Sequence, residues 1–401
     1  MAAGGCGGVT GSRAHTPLRI TQVVFDLEGG GLETLVASLV TRFAARAATV
    51  SVITLGGRVG RVGAAIREST ERYVVLRPLS GLSMVAPVTL IRAIRSTRPD
   101  VVHLHSGAWY KPALASRLAR VPRVVYTEHG REHFDPPLMR LLDRTAARWT
   151  SVVAAVSDRL ARYLADVVGI DAARIRTVPN GVDADRFAPG PAPAELRASL
   201  GIAPDAVVIG SIGRLEHVKA YERLIAAYAA LRRGAPDVPV QLVICGDGSA
   251  RADLERQVAG LEVGDGVRLP GWTDRPVDFY RLFDVFALTS RSEGASVSLM
   301  EAMACGAVPV VTDVGANAEL LGPELAGQVV KQEDAGALAR LLERTVREPS
   351  RRADLAARAR RRVLERYTLE GMVTAYDQIY RGDGDAGPPA AARAGAGSHP
   401  R

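Results

Sequence analysis

Short β-branched runs alternate with longer stretches of helical periodicity along most of this chain. In the first half the runs fall at residues 18–27, 49–55, 73–76, 101–105, 123–127 and 151–156, with 174–178 as a seventh. Helical spacing over 32–45, 85–96 and 158–168 separates several of them. The second half repeats the rhythm at 207–212, 240–245, 266–269, 285–288, 308–312 and 328–331. These runs are rich in Val and Ile and uninterrupted rather than alternating, the mark of parallel strands covered on both faces. Strand and helix in alternation predict an α/β chain with doubly wound sheets. Pro and Gly break the pattern at 187–204, which reads as a linker. It divides a first domain, 18–186, from a second, 205–365, and 366–381 reads as a C-terminal helix crossing back to the first. The expected architecture is two Rossmann-like domains facing across a cleft. The Gly/Ala-rich tails 1–17 and 382–401 are too poor in apolar residues to pack.

Composition narrows the class. The 401 residues suit two domains, and 47% hydrophobic with 23% charged excludes wholesale disorder. No apolar run approaches the ~18 residues of a membrane span, and the N-terminal residues lack the apolar core of a secretory signal. Cys6, Cys245 and Cys305 are far apart with no CxxC pair. That argues against a disulfide framework or a cysteine zinc site, and a cytoplasmic setting is expected. Cys245 and Cys305 sit in apolar strings and read as packing residues.

Charge is uneven. Residues 1–190 carry 25 basic and 15 acidic side chains, whereas 191–401 carry 26 and 28. A basic first half suits an anionic surface, or simply a solvated Arg-rich one. Nucleic acid is not expected, because zinc-finger spacing and RNP-type aromatics are missing and aromatics total 5%. Lys occurs only at 111, 219 and 331, which singles out Lys219.

Doubly wound sheets bind ligands outside the carboxyl ends of their strands. Gly29-Gly30-Gly31, Glu128-His129-Gly130, Gly213-Arg214, Gly246-Asp247-Gly248 and Glu293-Gly294 all follow strand candidates and would line one cleft. The richest string is RSEGASVSLMEAMACGAVPVV, residues 291–311, with Glu293 in a loop and Glu301 in the helix after it. Ser298 lies three residues before Glu301, so a capping box is the plain structural alternative for that carboxylate. His103 and His105 share a strand face, but no third ligand stands at a recognisable spacing and no metal site is expected.

In this order, GGGLETLV (29–36), RPDVVHLHS (98–106), YTEHG (126–130), PNGVDADRFAP (179–189), IGRLEHVK (212–219), ICGDG (244–248) and DVFALTSRSEG (284–294) accompany that Glu-x7-Glu string. Together they resemble retaining glycosyltransferase family four, of GT-B fold, over nearly all of 18–381. The resemblance implies that Arg214 and Lys219 grip a nucleotide diphosphate, where the leaving group gains charge. It implies that Glu301 binds ribose hydroxyls and that Glu293, with Gly294, Ala295, Ser296 and Val297, meets the donor sugar. His129 would stand against that sugar, and Gly30, Gly31, Gly213, Gly246 and Gly248 would let backbone approach phosphate or acceptor. The family's mechanism is same-face attack with retention, the departing phosphate taking the acceptor proton. It uses a nucleotide-diphosphate sugar as co-substrate, with no metal or resident cofactor.

The chain departs from the pattern at Ala220 and at Gly315-Ala316, where glycines are usual, and at Ser249 and Ser296. Acceptor recognition would fall to the first domain. Residues 138–149 place Arg140, Arg144 and Arg148 at four-residue spacing beside Leu138, Leu141, Leu142 and Trp149. That pattern suits either a helix lying on anionic lipid, peripheral at the inner face of the plasma membrane, or one packed on its own domain. Bacterial members build lipopolysaccharide, capsule or exopolysaccharide, so a glycan or lipid-linked glycan acceptor is expected. A nucleotide-sugar epimerase and a non-catalytic sugar-nucleotide sensor are the alternatives, since fold alone separates neither from a transferase.

Overall fold

Each apolar run becomes a strand in one of two parallel sheets. The first holds β1 (Arg19–Val24), β2 (Thr49–Thr54), β3 (Arg72–Val75), β4 (Val101–His105), β5 (Arg123–Glu128), β6 (Val152–Ala155) and β7 (Ile175–Thr177), in the order β3-β2-β1-β4-β5-β6-β7. The second holds β8 (Val207–Ile212), β9 (Val240–Cys245), β10 (Val267–Gly271), β11 (Val285–Leu288), β12 (Val308–Thr312) and β13 (Val329–Val330), in the order β10-β9-β8-β11-β12-β13. All registered pairs are parallel. The computed structural model describes residues 17–78, 84–131 and 135–383, so nearly all of both expected tails lies outside the described residues.

Strand order reverses between β1 and β4 and again between β8 and β11. These are the two switch points, where helices on opposite faces diverge and leave a crevice beyond the carboxyl ends. The glycine loop after β1, the Gly213-Arg214 loop after β8 and the Glu293 loop beyond β11 therefore lie at the crevices. Central strands are sealed on both faces, as all of β4, β6, β11 and β12 is buried. The helix Gly31–Ala45 covers β1 with Leu35, Val36, Leu39, Val40 and Phe43, a three-and-four spacing that makes one stripe.

Two helices end differently from their sequence pattern. The 158–168 stretch is α-helical only through Tyr163, then widens into a π turn at Leu164–Val168 that Gly169 closes in left-handed conformation. The 85–96 stretch starts as a helix at Val88, because Pro87 occupies the N-cap.

The chain crosses between domains twice, and the crossings are tied together. Val182 N–H donates to Tyr367 O and Leu369 N–H donates to Val182 O, both at 2.8 Å. Before the second crossing, the helix Pro349–Arg366 buries Leu355, Ala359 and Val363 in the second domain. After it, the helix Leu369–Arg381 buries Leu369, Met372, Val373, Tyr376, Ile379 and Tyr380 in the core of the first. Each such side chain contributes ~1.5–3 kcal/mol of burial, so the last helix belongs to the first domain energetically. Among the described residues no helix is long and apolar enough to cross a membrane.

Candidate active site in the interdomain cleft

The second-domain wall is built from backbone packed on backbone. Gly246 has φ 152°, and a Cβ there would lie 1.9 Å from Gly213 O, so only glycine lets these loops meet. Gly213 N–H donates to Cys245 O at 3.0 Å and Leu215 N–H donates to Asp247 O at 2.9 Å. Arg214, held between those bonds, is exposed, and its guanidinium makes no hydrogen bond or ion pair among the described residues. Lys219 closes a short 3-10 turn, and its Nζ donates to Glu293 Oε1 at 2.6 Å. Ser290 Oγ donates to the same oxygen at 2.6 Å. Oε1 of the carboxylate is thus held by a cation and a hydroxyl, and the side chain is only 9% exposed.

Ser296 caps the helix Val297–Ala304, its Oγ accepting from Leu299 N at 3.3 Å. This corrects the expected capping box: Ser298 lies inside the helix, sharing a 3.1 Å hydrogen bond with Ser296 Oγ. Cap and carboxylate are therefore five residues apart, too far for that motif. Glu301 Oε2 instead accepts from Tyr280 Oη at 2.8 Å. Burial pushes the Glu301 carboxyl up to about 7, while the Tyr280 hydroxyl and the charge of Arg186 pull against it. Ala302 and Ala304 are fully buried, which lets this helix sit against its neighbours.

First-domain loops meet this wall closely. Gly30 is the N-cap of the helix Gly31–Ala45, and a Cβ on Gly31 would touch Val297 at 3.4 Å. A Cβ on Gly294 would lie 1.9 Å from His129 O, so the loops after β5 and β11 touch through bare backbone. Burial raises the pKa of Glu33, with the charge of Arg214 opposing it, so that cation's field crosses the cleft. Arg61 stacks over Trp272 at 3.9 Å, and Asn180 Nδ2 donates to Ala295 O at 3.0 Å. The Glu319 carboxylate accepts from Asp158 N at 2.8 Å and Arg159 N at 3.1 Å, satisfying orphan donors of a first-domain helix from the second domain.

His129 carries its backbone N–H to Ser106 Oγ at 2.7 Å, and burial lowers its ring pKa to about 4. His103 and His105 are fully buried and fully engaged in hydrogen bonds, and burial holds both well below 6.5. Among the described residues no three His, Cys, Asp or Glu side chains gather as a metal site would require.

A cavity of about 560 Å³ is lined by Glu128 and Gly130, the neighbours of His129 in the chain, with Phe25, Trp109, Tyr126, Met139 and Leu142 in its walls. Trp109 and Tyr126 stack at 3.8 Å. Arg131 lies at one side, paired with Glu128, Asp135 and Asp143 at 2.8, 2.9 and 2.8 Å. The helix Pro137–Arg148 gives this cavity Met139, Leu142 and Asp143, whereas Arg140, Arg144 and Arg148 do not line it. Its Leu138 is 64% exposed and its Leu141 53%.

Sequence reasoning missed several of these groups. Tyr280, Arg61, Trp272 and the capping role of Glu319 lie far along the chain from the residues they serve, and no periodicity or spacing marks them. One departure has a conformational meaning. Ala220 adopts φ 52°, the left-handed region glycine favours, whereas Ala316 at φ −94° sits in ordinary space. The first replacement is strained and the second is not.

Residues 29–186 match the family described as Glycosyltransferase Family 4, and residues 194–362 match Glycosyl transferases group 1. A D-inositol 3-phosphate glycosyltransferase of Geodermatophilus obscurus is 30% identical over 390 residues, covering 87% of this chain and 85% of that protein. A protein of the same name from Rhodococcus erythropolis is 32% identical over 241 residues, 56% of this chain and 54% of its own length. The crystal structure of Anabaena HepE in complex with UDP superposes with a TM-score of 0.80 at 21% identity, covering 91% of this chain and all of that one. Sucrose-phosphate synthase from Thermosynechococcus elongatus gives 0.74 at 20% identity, covering 90% and 98%. The two parallel-sheet domains match GT-B structures, and this chain belongs to glycosyltransferase family four.

Proposed function

We propose that the protein transfers a sugar from a nucleotide-diphosphate sugar to an acceptor hydroxyl with retention at the anomeric carbon, without a metal. One observation carries the reading: an unpaired Arg214 and a Glu293-paired Lys219 flank the backbone loops at the second-domain switch point. A diphosphate entering there meets Arg214 directly and competes with Glu293 for Lys219. Glu293, released, accepts from sugar hydroxyls, and Glu301 accepts from the ribose. The two cations stabilise the charge that grows on the leaving phosphate as the glycosidic bond breaks. Glu293 then holds Ser290 and sugar hydroxyls and Glu301 holds Tyr280 and the ribose, so this reading assigns neither as a nucleophile. That arrangement favours same-face attack, in which the departing phosphate oxygen takes the acceptor proton. Solved structures of HepE hold UDP and UDP-glucose, which supports a uridine donor here.

The apolar cavity lined by Glu128 and Gly130 is the acceptor site in this reading, suited to a glycan carried on an apolar or lipid group in cell-surface polysaccharide synthesis. Exposed Leu138, Met139 and Leu141, on a helix that also carries exposed Arg144 and Arg148, suit a peripheral contact with anionic lipid at the cytoplasmic face. The test is incubation with UDP-glucose and an acceptor panel, with NMR of the anomeric proton of any product. An α-linked product from an α-linked donor is expected. An altered free sugar nucleotide without acceptor would instead make the protein an epimerase.

A further inference from the structure

One hydrogen-bonded chain runs from the cleft to the last helix. His129 Nε2 lies 3.1 Å from His105 Nδ1, and His105 Nε2 lies 2.8 Å from Gln22 Oε1. Gln22 Nε2 donates to Tyr380 Oη at 3.4 Å, and Tyr380 Oη lies 2.6 Å from His103 Nδ1. His103 Nε2 meets Thr127 Oγ1 at 2.7 Å, and Thr127 Oγ1 meets Tyr376 Oη at 2.8 Å. Gln22, His103, His105 and Thr127 are completely buried, and both tyrosines nearly so. They come from β1, β4, β5 and the helix Leu369–Arg381, elements that converge at the first-domain switch point. At the cleft end, His129 Nδ1 is buried and has no partner.

Each imidazole is held neutral by burial, so each has one N–H and one lone pair. The Gln22 carbonyl oxygen can only accept, which makes His105 Nε2 the donor and leaves a lone pair on its Nδ1. His129 must then donate from Nε2, and its Nδ1 keeps a lone pair. On the other side the Gln22 amide donates to Tyr380, Tyr380 to His103, His103 to Thr127 and Thr127 to Tyr376. Every link is satisfied in one direction, and such chains reinforce one another. Turning the Gln22 amide over would reverse every link and leave a buried N–H at His129 Nδ1, in place of the Tyr376 O–H, as the donor without an acceptor; Gln22 Oε1, seated 2.8 Å from His105 Nε2, selects the first polarity.

We propose that Gln22 and His105 are positioning residues that hold His129 as its Nε2–H tautomer, so that Nδ1 accepts a hydrogen bond from a hydroxyl of the sugar bound in the cleft. The hydroxyl contact rests on the glycosyl-transfer reading above; the tautomer does not. A phosphate oxygen has no proton to offer this nitrogen, so the device selects the neutral, hydroxylated part of a donor.

The test is long-range proton–nitrogen NMR on the full chain labelled with 15N-histidine, at pH 7, with His129 assigned by the signals lost in His129→Gln. Nδ1 should resonate as an unprotonated nitrogen and Nε2 as a protonated one. The opposite pattern, or an even mixture, overturns the polarity, and the wild-type spectrum alone decides it. In Gln22→Leu and His105→Phe the preference should vanish, while Gln22→Glu, which still accepts from His105, should keep it. A preference untouched in both disruptive variants would show that the chain does not impose it. UDP-glucose should then shift Nδ1 and UDP should not. Binding of UDP-glucose without that shift overturns the hydroxyl contact. A protein that binds neither overturns the transferase reading, with the tautomer result still standing.

Discussion

At the scale of single residues, the proposed nucleotide binding draws on one carboxylate that burial keeps from its ordinary state. Glu301 sits with a pKa of about 7 because burial outweighs the help of Tyr280 and Arg186. Ribose hydroxyls donate better to a carboxylate than to a carboxylic acid, so the proposed ribose contact of Glu301 requires the ionised form. Affinity is then fully present above pH ~7 and lost as pH falls through that value, by up to about tenfold per unit. Titration calorimetry with UDP from pH 5.5 to 8.5 should show that slope, and Glu301→Gln should flatten it. An unchanged slope in the variant would place the titrating group elsewhere. The residue scale was also where the sequence was least legible. Glu293 and Glu301 stood out by spacing, Lys219 by its rarity, and Arg214 through the family resemblance. That Lys219 would pair with Glu293, 74 residues on, and Glu301 with Tyr280 had no sequence signal, because the first contact needs β8 beside β11 and the second needs the helices Pro276–Leu282 and Val297–Ala304 packed together.

Among elements, ends matter more than middles. The runs at 207–212, 240–245, 285–288 and 308–312 became β8, β9, β11 and β12 without a shift of boundary. Buried parallel strands are apolar from end to end, so their limits are written in composition. Helix ends were harder to read. Ser296 and Ser298 are equally good caps on paper, and only the tertiary position of the loop selects the first. The helix Asp158–Tyr163 has a local cap in Ser157 and a second, distant acceptor in Glu319. Glu319→Ala removes that acceptor from two N-terminal amides and should cost about 1 kcal/mol, a fall in melting temperature of roughly 1 °C for a chain of this length. Scanning calorimetry reads it directly, and an unchanged transition would show that water replaces the carboxylate without loss.

Over the whole molecule, the buried histidines tie stability to pH. His103 and His105 lie well below 6.5 and His129 at about 4 in the folded chain, and all three return towards 6.5 on unfolding. Their neutral burial is therefore harmless above pH ~6.5. As pH falls below it, the unfolded state takes up protons that the folded state refuses. Each group then removes up to ~1.4 kcal/mol per pH unit. Glu301 acts oppositely, since its raised pKa makes the folded state the better proton binder between about 4.5 and 7. Glu33 and Asp143, also raised by burial, act as Glu301 does but from ordinary values of 4.5 and 3.8, below that of histidine, so the three histidines predict that the midpoint in urea falls from pH 6.5 to 4.5. A His103→Gln, His105→Gln double variant should show a shallower fall, and an equally steep one would assign the acid sensitivity to other groups.

The central claim, that the second-domain wall is a diphosphate site, is tested most directly by thermal shift with UDP, GDP, ADP and their common sugar conjugates. A ligand at ~100 times its Kd stabilises by about 2.7 kcal/mol, a clear shift for a chain of this size. The account predicts that one nucleotide series stabilises the wild-type protein and that Arg214→Ala and Glu301→Ala each lose the response while remaining folded. Stabilisation that survives both substitutions, or a wild-type protein indifferent to every nucleotide, would contradict it.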